Sequence, residues 1–257
     1  MQRDKLYYTF NDPAWNKDPE RYINLMLEQS SRNKSCWYSN LPKILGGVRN
    51  FVFKKHRDIM NGVPPHKTKN RSGSARLCPA IHSVLDNSIL IKCPSDLAIS
   101  ITSNKEFFYT TPDPLGSNSP LIAIRSHGYS DMENVESPKL FEGYMNIKFV
   151  FPIHIGNNSD TPLIFLHPNF HTRSEFTVLN GVIPRGYVKY QELNINTLVK
   201  VPEKGEPPTE IFIKKGEVLA YLWSPKQLSL TPSRKEGLLP LFTKFTGAIE
   251  YGNDSNS

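Results

Sequence analysis

The 257-residue chain reads as a mainly β protein, an antiparallel β-sandwich or a jelly-roll-like distorted barrel, with an N-terminal helix and an irregular basic arm. Three observations lead there. Apolar and polar residues alternate over short runs, and clusters of Pro, Gly, Asn and Asp separate these runs. Stretches with helical spacing are too few to supply the crossovers that parallel strands need.

The N-terminal part opens with a helix. Asp18 is placed to cap it, Pro19 suits the first helical position, and Glu20 meets the helix dipole in the first turn. Tyr22, Ile23, Met26 and Leu27 then form one apolar stripe that ends near Ser31. Residues 32–80 show no period, because Gly46-Gly47, Pro64-Pro65 and the polar run from His66 to Arg76 interrupt it. An extended arm is expected there, with a short helix near Lys54–Met60.

From Ile81 onward the expected elements are short strands. Leu97, Ile99 and Ile101 alternate with Ala98, Ser100 and Thr102, and Met145, Ile147, Phe149 and Phe151 do the same with Asn146, Lys148 and Val150. Further strands are expected over 89–92, 107–110, 121–125, 163–167, 176–179, 186–192, 210–214 and 218–223. The separators at 111–120, 156–162 and 202–208 supply turn chemistry. The organisation that follows is a helix and basic arm at 1–80 packing on the main domain, a β-sandwich domain at 81–225, and a C-terminal extension at 226–257.

Composition narrows the function classes. The N-terminal residues lack the apolar core of a secretory signal, and no run of apolar residues is long enough to span a membrane. The three cysteines, Cys36, Cys78 and Cys93, lack C-x-x-C spacing, which argues against a disulfide framework or a zinc knuckle and for reduced thiols. The net charge of +7 is concentrated in residues 41–80, where nine basic residues face the single acid Asp58. Lys54, Lys55, Arg57, Lys67, Lys69 and Arg71, beside Phe51 and Phe53, are therefore nucleic-acid-binding candidates, since such groups neutralise phosphates while rings stack on bases. The plainer reading is a solvated loop.

Catalytic signatures are sparse. His154, His167 and His171 lie close in sequence and are the metal-ligand candidates, but no H-x-H or H-E-x-x-H spacing joins them, and loop or hairpin histidines are the plainer reading. Ser126-His127 with Asp131 has the residue types of a hydrolase but not the G-x-S-x-G turn. Cys78-Pro79 with His82 nearby reads more simply as a buried cysteine starting a strand. Walker, Rossmann and EF-hand patterns are absent, so neither a catalytic residue nor a cofactor is assigned.

Two resemblances add to this reading. The segment FTVLNGVIPRGYVKYQ, followed by TEIFIKKGEVLAYLW, resembles the carboxy-terminal half of the trimeric dUTPases. Gly181, Ile183 and Tyr187 match that pattern, which makes Tyr187 a nucleotide-pocket candidate, but Pro184 stands where the family has its water-activating Asp. The run from Leu77 to Trp223, carried by LCPAIHSVLDNSILIKCPSDLAI, I-x-F-x-x-P-I, LHPNF, FTVLNGVI and IFIKKGEVLAYLWSPK, resembles an uncharacterised protein family of tailed phages, especially marine ones, and of bacteria. That resemblance implies a phage context, in the host cytoplasm or the virion, and no catalytic residue. The expectation is thus a non-enzymatic phage-associated protein acting through protein–protein surfaces, with other subunits or a homo-oligomer as partner and no membrane. The alternatives are a metal- or nucleotide-binding enzyme of cupin-like or dUTPase-like fold, and nucleic-acid binding through the 41–80 segment.

Overall fold

The computed structural model describes residues 4–30, 79–112, 120–126, 143–157, 161–168, 171, 175–184 and 191–232. Within them the chain is mainly β, in three sheets and no closed barrel, and this layering fits a sandwich. The largest sheet, A, has the order β14-β1-β7-β11-β9, with β6 also paired to β7. Its strands are β1 (Asp4–Phe10), β6 (Ala123–Ser126), β7 (Tyr144–Asn157), β9 (Phe176–Val178), β11 (Gln191–Lys200) and β14 (Leu228–Pro232). Sheet B has the order β10-β8-β13-β3-β2, made of β2 (Leu27–Gln29), β3 (Ser88–Lys92), β8 (Leu163–Leu166), β10 (Gly181–Ile183) and β13 (Val218–Trp223). Sheet C is three-stranded, β12-β4-β5, from β4 (Leu97–Ile101), β5 (Phe107–Thr110) and β12 (Thr209–Ile213). All pairings are antiparallel except β1 with β14.

Period-two burial builds the core. Leu97, Ile99 and Ile101 of β4, Ile211 and Ile213 of β12, and Met145, Ile147, Phe149, Phe151, Ile153 and Ile155 of β7 all join one cluster with Leu6, Tyr8 and Phe10 of β1 and Ile89 and Ile91 of β3. The inner faces of all three sheets therefore share one core. At β3 and β13 sheet B is buried on its other face too. Leu90, Val218 and Tyr221 form a second cluster there, against which Val84 of helix α2 (Pro79–Asn87) and Leu166 pack. Strands apolar on both faces read as continuous hydrophobic runs, which is what SILIK and VLAYLW are.

Sheets B and C are joined where strands leave one for the other. The Cys93 N–H donates to Glu217 O and the Gly216 N–H to Cys93 O, each at 2.8 Å, so β3–β4 and β12–β13 cross between the sheets side by side. Gly216 has φ 85°, a left-handed conformation that side chains disfavour. The Cys93 thiol is buried and donates to Ser95 O at 3.0 Å.

Several elements differ from the sequence expectation. Residues 79–87 are helical, not the start of a strand: Ile81, Val84 and Leu85 fall at i, i+3 and i+4, with proline in the first turn. The helix α1 (Pro19–Met26) stops short of Ser31 because Leu27–Gln29 pair with β3. Strand β11 lies at 191–200, where the buried Thr197 breaks the apolar alternation while its hydroxyl donates to Ile147 O at 3.0 Å. Strand β7 continues through Pro152, which has no N–H to offer. The proline sits between the segments paired to β6 and to β1, and opposite the register shift between Glu192 and Asn194 of β11. Strands β1 and β14, from outside 81–225, join the largest sheet, and β2 joins sheet B.

Candidate functional site

Among the described residues, four large hydrophobic side chains are exposed, and two of them, Phe108 and Phe212, share the outer face of sheet C, while Tyr144 and Val182 lie on the other two sheets. Because Ile211 and Ile213 point into the core, Glu210 and Phe212 point out, and the same phase turns Ala98 and Ser100 of β4 and Phe108 and Thr110 of β5 outward. Phe108 is 65% exposed and Phe212 66%. Phe108 stands beside Ser100, which also faces Glu210; Phe212 stands beside Ala98, which also faces Thr110. The two rings thus lie on the outer strands, diagonally across a floor of two small residues. Between them the Ser100 hydroxyl donates to Glu210 Oε1 at 2.6 Å. Beneath the face, Phe107 and Tyr109 stack at 6.4 Å and pack on the core, which anchors β5.

The histidines are dispersed by comparison. His154 lies on β7 opposite Thr9 and Glu192, where burial pushes its pKa down and the Glu192 carboxylate partly opposes that. His167 follows β8, and its Nδ1 accepts the Val178 N–H at 3.2 Å, tying the end of a sheet B strand to a sheet A strand. His171 meets the Tyr221 hydroxyl on the α2 side of sheet B. Among the described residues, no three His, Cys, Asp or Glu side chains come together as metal ligands. Ser126 ends β6 exposed to solvent, whereas His127 and Asp131 lie outside the described residues. The basic candidates Lys54, Lys55, Arg57, Lys67, Lys69 and Arg71, the nucleotide candidate Tyr187, and Cys36 and Cys78 also lie outside them. Among the described residues, no helix is long and apolar enough to cross a membrane.

The aromatic pair escaped the sequence reading, although a signal was present. In TEIFI the two isoleucines fix which phase is inward, so the phenylalanine between them must face out. A scan against protein-family models finds no match to the chain, and neither does a search of curated proteins.

Proposed function

We propose that this protein is a non-enzymatic binding module that acts by surface contact at the outer face of sheet C. One observation carries the reading: two phenylalanines, each about two-thirds exposed, stand on the same face with a polar pair between them. About two-thirds of each ring stays in water, and covering it would return roughly 1–2 kcal/mol per ring, which favours contact at this face. Sheet C is also suited to presenting them, because its inner face is fixed in the core by Ile99, Ile101, Ile211 and Ile213.

A fragment screen by ligand-observed NMR tests this. A mixture of uncharged aromatic and sugar fragments is expected to give hits that disappear in the Phe108→Ser/Phe212→Ser double variant. Hits that persist unchanged in that variant would place binding elsewhere and contradict the proposal.

A further inference from the structure

We propose that the outer face of sheet A binds a sugar phosphate, free or as part of a nucleotide, at a row formed by Arg125, Lys148 and Asn196. The row lies on a different sheet from Phe108 and Phe212 and does not depend on them. Because Ile124, Ile147, Phe149, Ile195 and Thr197 turn inward, Arg125 of β6, Lys148 of β7 and Asn196 of β11 turn outward. Lys148 stands directly opposite both Arg125 and Asn196, so the three side chains cross the sheet in one line.

The first support is charge. Cross-strand neighbours have Cβ atoms about 5 Å apart, and like charges at that spacing repel. Among the described residues, neither cation has a carboxylate partner. Glu192, the acid of β11, lies four residues from Asn196, which is about 13 Å at ~3.4 Å per residue. An anion seated between the two head groups turns their repulsion into attraction. A phosphate monoester carries nearly two negative charges at neutral pH and so matches the pair, whereas a carboxylate carries one.

The second support is a group of unsatisfied amides around that row. Among the described residues, five buried side-chain polar atoms lack a hydrogen-bond partner, and three of them are the Oδ1 atoms of Asn146, Asn194 and Asn196. All three residues share this face: Asn146 precedes Lys148 by two positions on β7, and Asn194 precedes Asn196 by two on β11. Asn146 and Val150, on either side of Lys148, are each 5% exposed, so the face is sheltered there, while Arg125 at the end of the row is open to solvent. The Asn194 amide nitrogen donates to Glu192 Oε2 at 3.5 Å, which leaves its oxygen to accept. Sheltered amide oxygens without donors are costly, and the hydroxyls of a sugar are donors that an ionised phosphate lacks. A sugar phosphate brings the anion and the donors in one molecule.

A nucleic-acid strand matches less well. Each phosphodiester carries one charge, and the rows on either side of the cations, Val150 with Asn194 and Asn146 with Leu198, hold no cation for the next phosphate.

Isothermal titration of the full-length protein with ribose 5-phosphate, adenosine monophosphate, inorganic phosphate and ribose tests the proposal. Ribose 5-phosphate or the nucleotide should bind, and ribose and inorganic phosphate should each bind about tenfold or more weakly. Arg125→Gln and Lys148→Gln should each weaken binding by about tenfold, the size that goes with losing one charged contact. Asn196→Ala should weaken the sugar phosphate more than inorganic phosphate. Arg125→Gln changes an exposed side chain and should melt with the wild type, and the Phe108→Ser/Phe212→Ser double variant should bind these ligands as the wild type does. Inorganic phosphate binding as tightly as the sugar phosphates would overturn the sugar assignment. Absence of binding, binding unchanged in both cation variants, or binding of a single-stranded DNA oligonucleotide in place of the small ligands would overturn the proposal, and none of these results bears on the sheet C reading.

Discussion

His171 Nδ1 lies 2.5 Å from the Tyr221 hydroxyl, and Tyr221 is only 1% exposed. The other ring nitrogen of His171 is buried without a hydrogen-bond partner among the described residues. A proton added there would place a charge with nothing to receive it, so burial pushes the His171 pKa below its ordinary 6.5. The unfolded chain, titrating near 6.5, then holds more protons than the folded one at mildly acid pH. Stability is full above about pH 6.5 and is lost as pH falls from there through the folded pKa. Urea midpoints should therefore drop between about pH 7 and about pH 5, with His171→Phe removing part of the drop and His154, also shifted down, keeping the rest. A wild-type midpoint unchanged over that range would contradict this.

The N-terminal segment should matter as much to stability as any central strand. Trp15 stacks on Tyr22 at 4.9 Å and meets Phe10 edge-on at 5.8 Å, and all three belong to or pack against the main core. Trp15→Ala should cost about 3–5 kcal/mol, the range for emptying a buried aromatic site. Chemical denaturation checks it, and a loss under about 1 kcal/mol would mean the segment is peripheral.

Gly216 should resist substitution for a backbone reason. Its φ of 85° is strained for any side chain, yet nothing lies within 4 Å of where a Cβ would sit. Gly216→Ala should therefore destabilise by about 1 kcal/mol through conformation alone, with no packing defect. Thermal melts read the loss, and a more stable variant would show that the crossing from sheet C to sheet B tolerates another conformation.

Phe108→Ser and Phe212→Ser should leave stability within about 0.5 kcal/mol of the wild type, because both rings are largely exposed. Urea titration separates this from the alternative. A loss of about 2 kcal/mol or more from either change would show that the ring supports the fold and is not held for a partner.

Strands with strict alternation were legible in the sequence. LAISI falls where its period places it, because one face meets the core and the other is only half-buried, and Met145, Ile147, Phe149 and Phe151 of YMNIKFVFPIHIGN keep the inward phase although Asn146 and Val150 between them are buried as well. Segments that break the pattern were not. In QELNINTLVK the buried Thr197 is satisfied by a carbonyl of the neighbouring strand, a partner no local pattern reveals. PAIHSVLDN runs straight into SILIK with no glycine or proline between them, so the change from helix to strand is not marked by a strong breaker. Strand β1 pairs with β14 from the far end of the described chain, a contact that depends on tertiary structure alone. As for the site, the outward phase of Phe212 could be read from its isoleucine neighbours. Its position diagonal to Phe108 across β4 could not, since that follows from the register of two separate pairings.

Amide chemical-shift mapping of the isotope-labelled protein, titrated with an uncharged fragment that binds it, tests the surface-binding account most directly. The expected result is a set of perturbed amides centred on Ala98, Ser100, Phe108, Glu210 and Phe212, with His154, His167 and His171 unmoved. Shifts centred on those histidines, with sheet C silent, would contradict it.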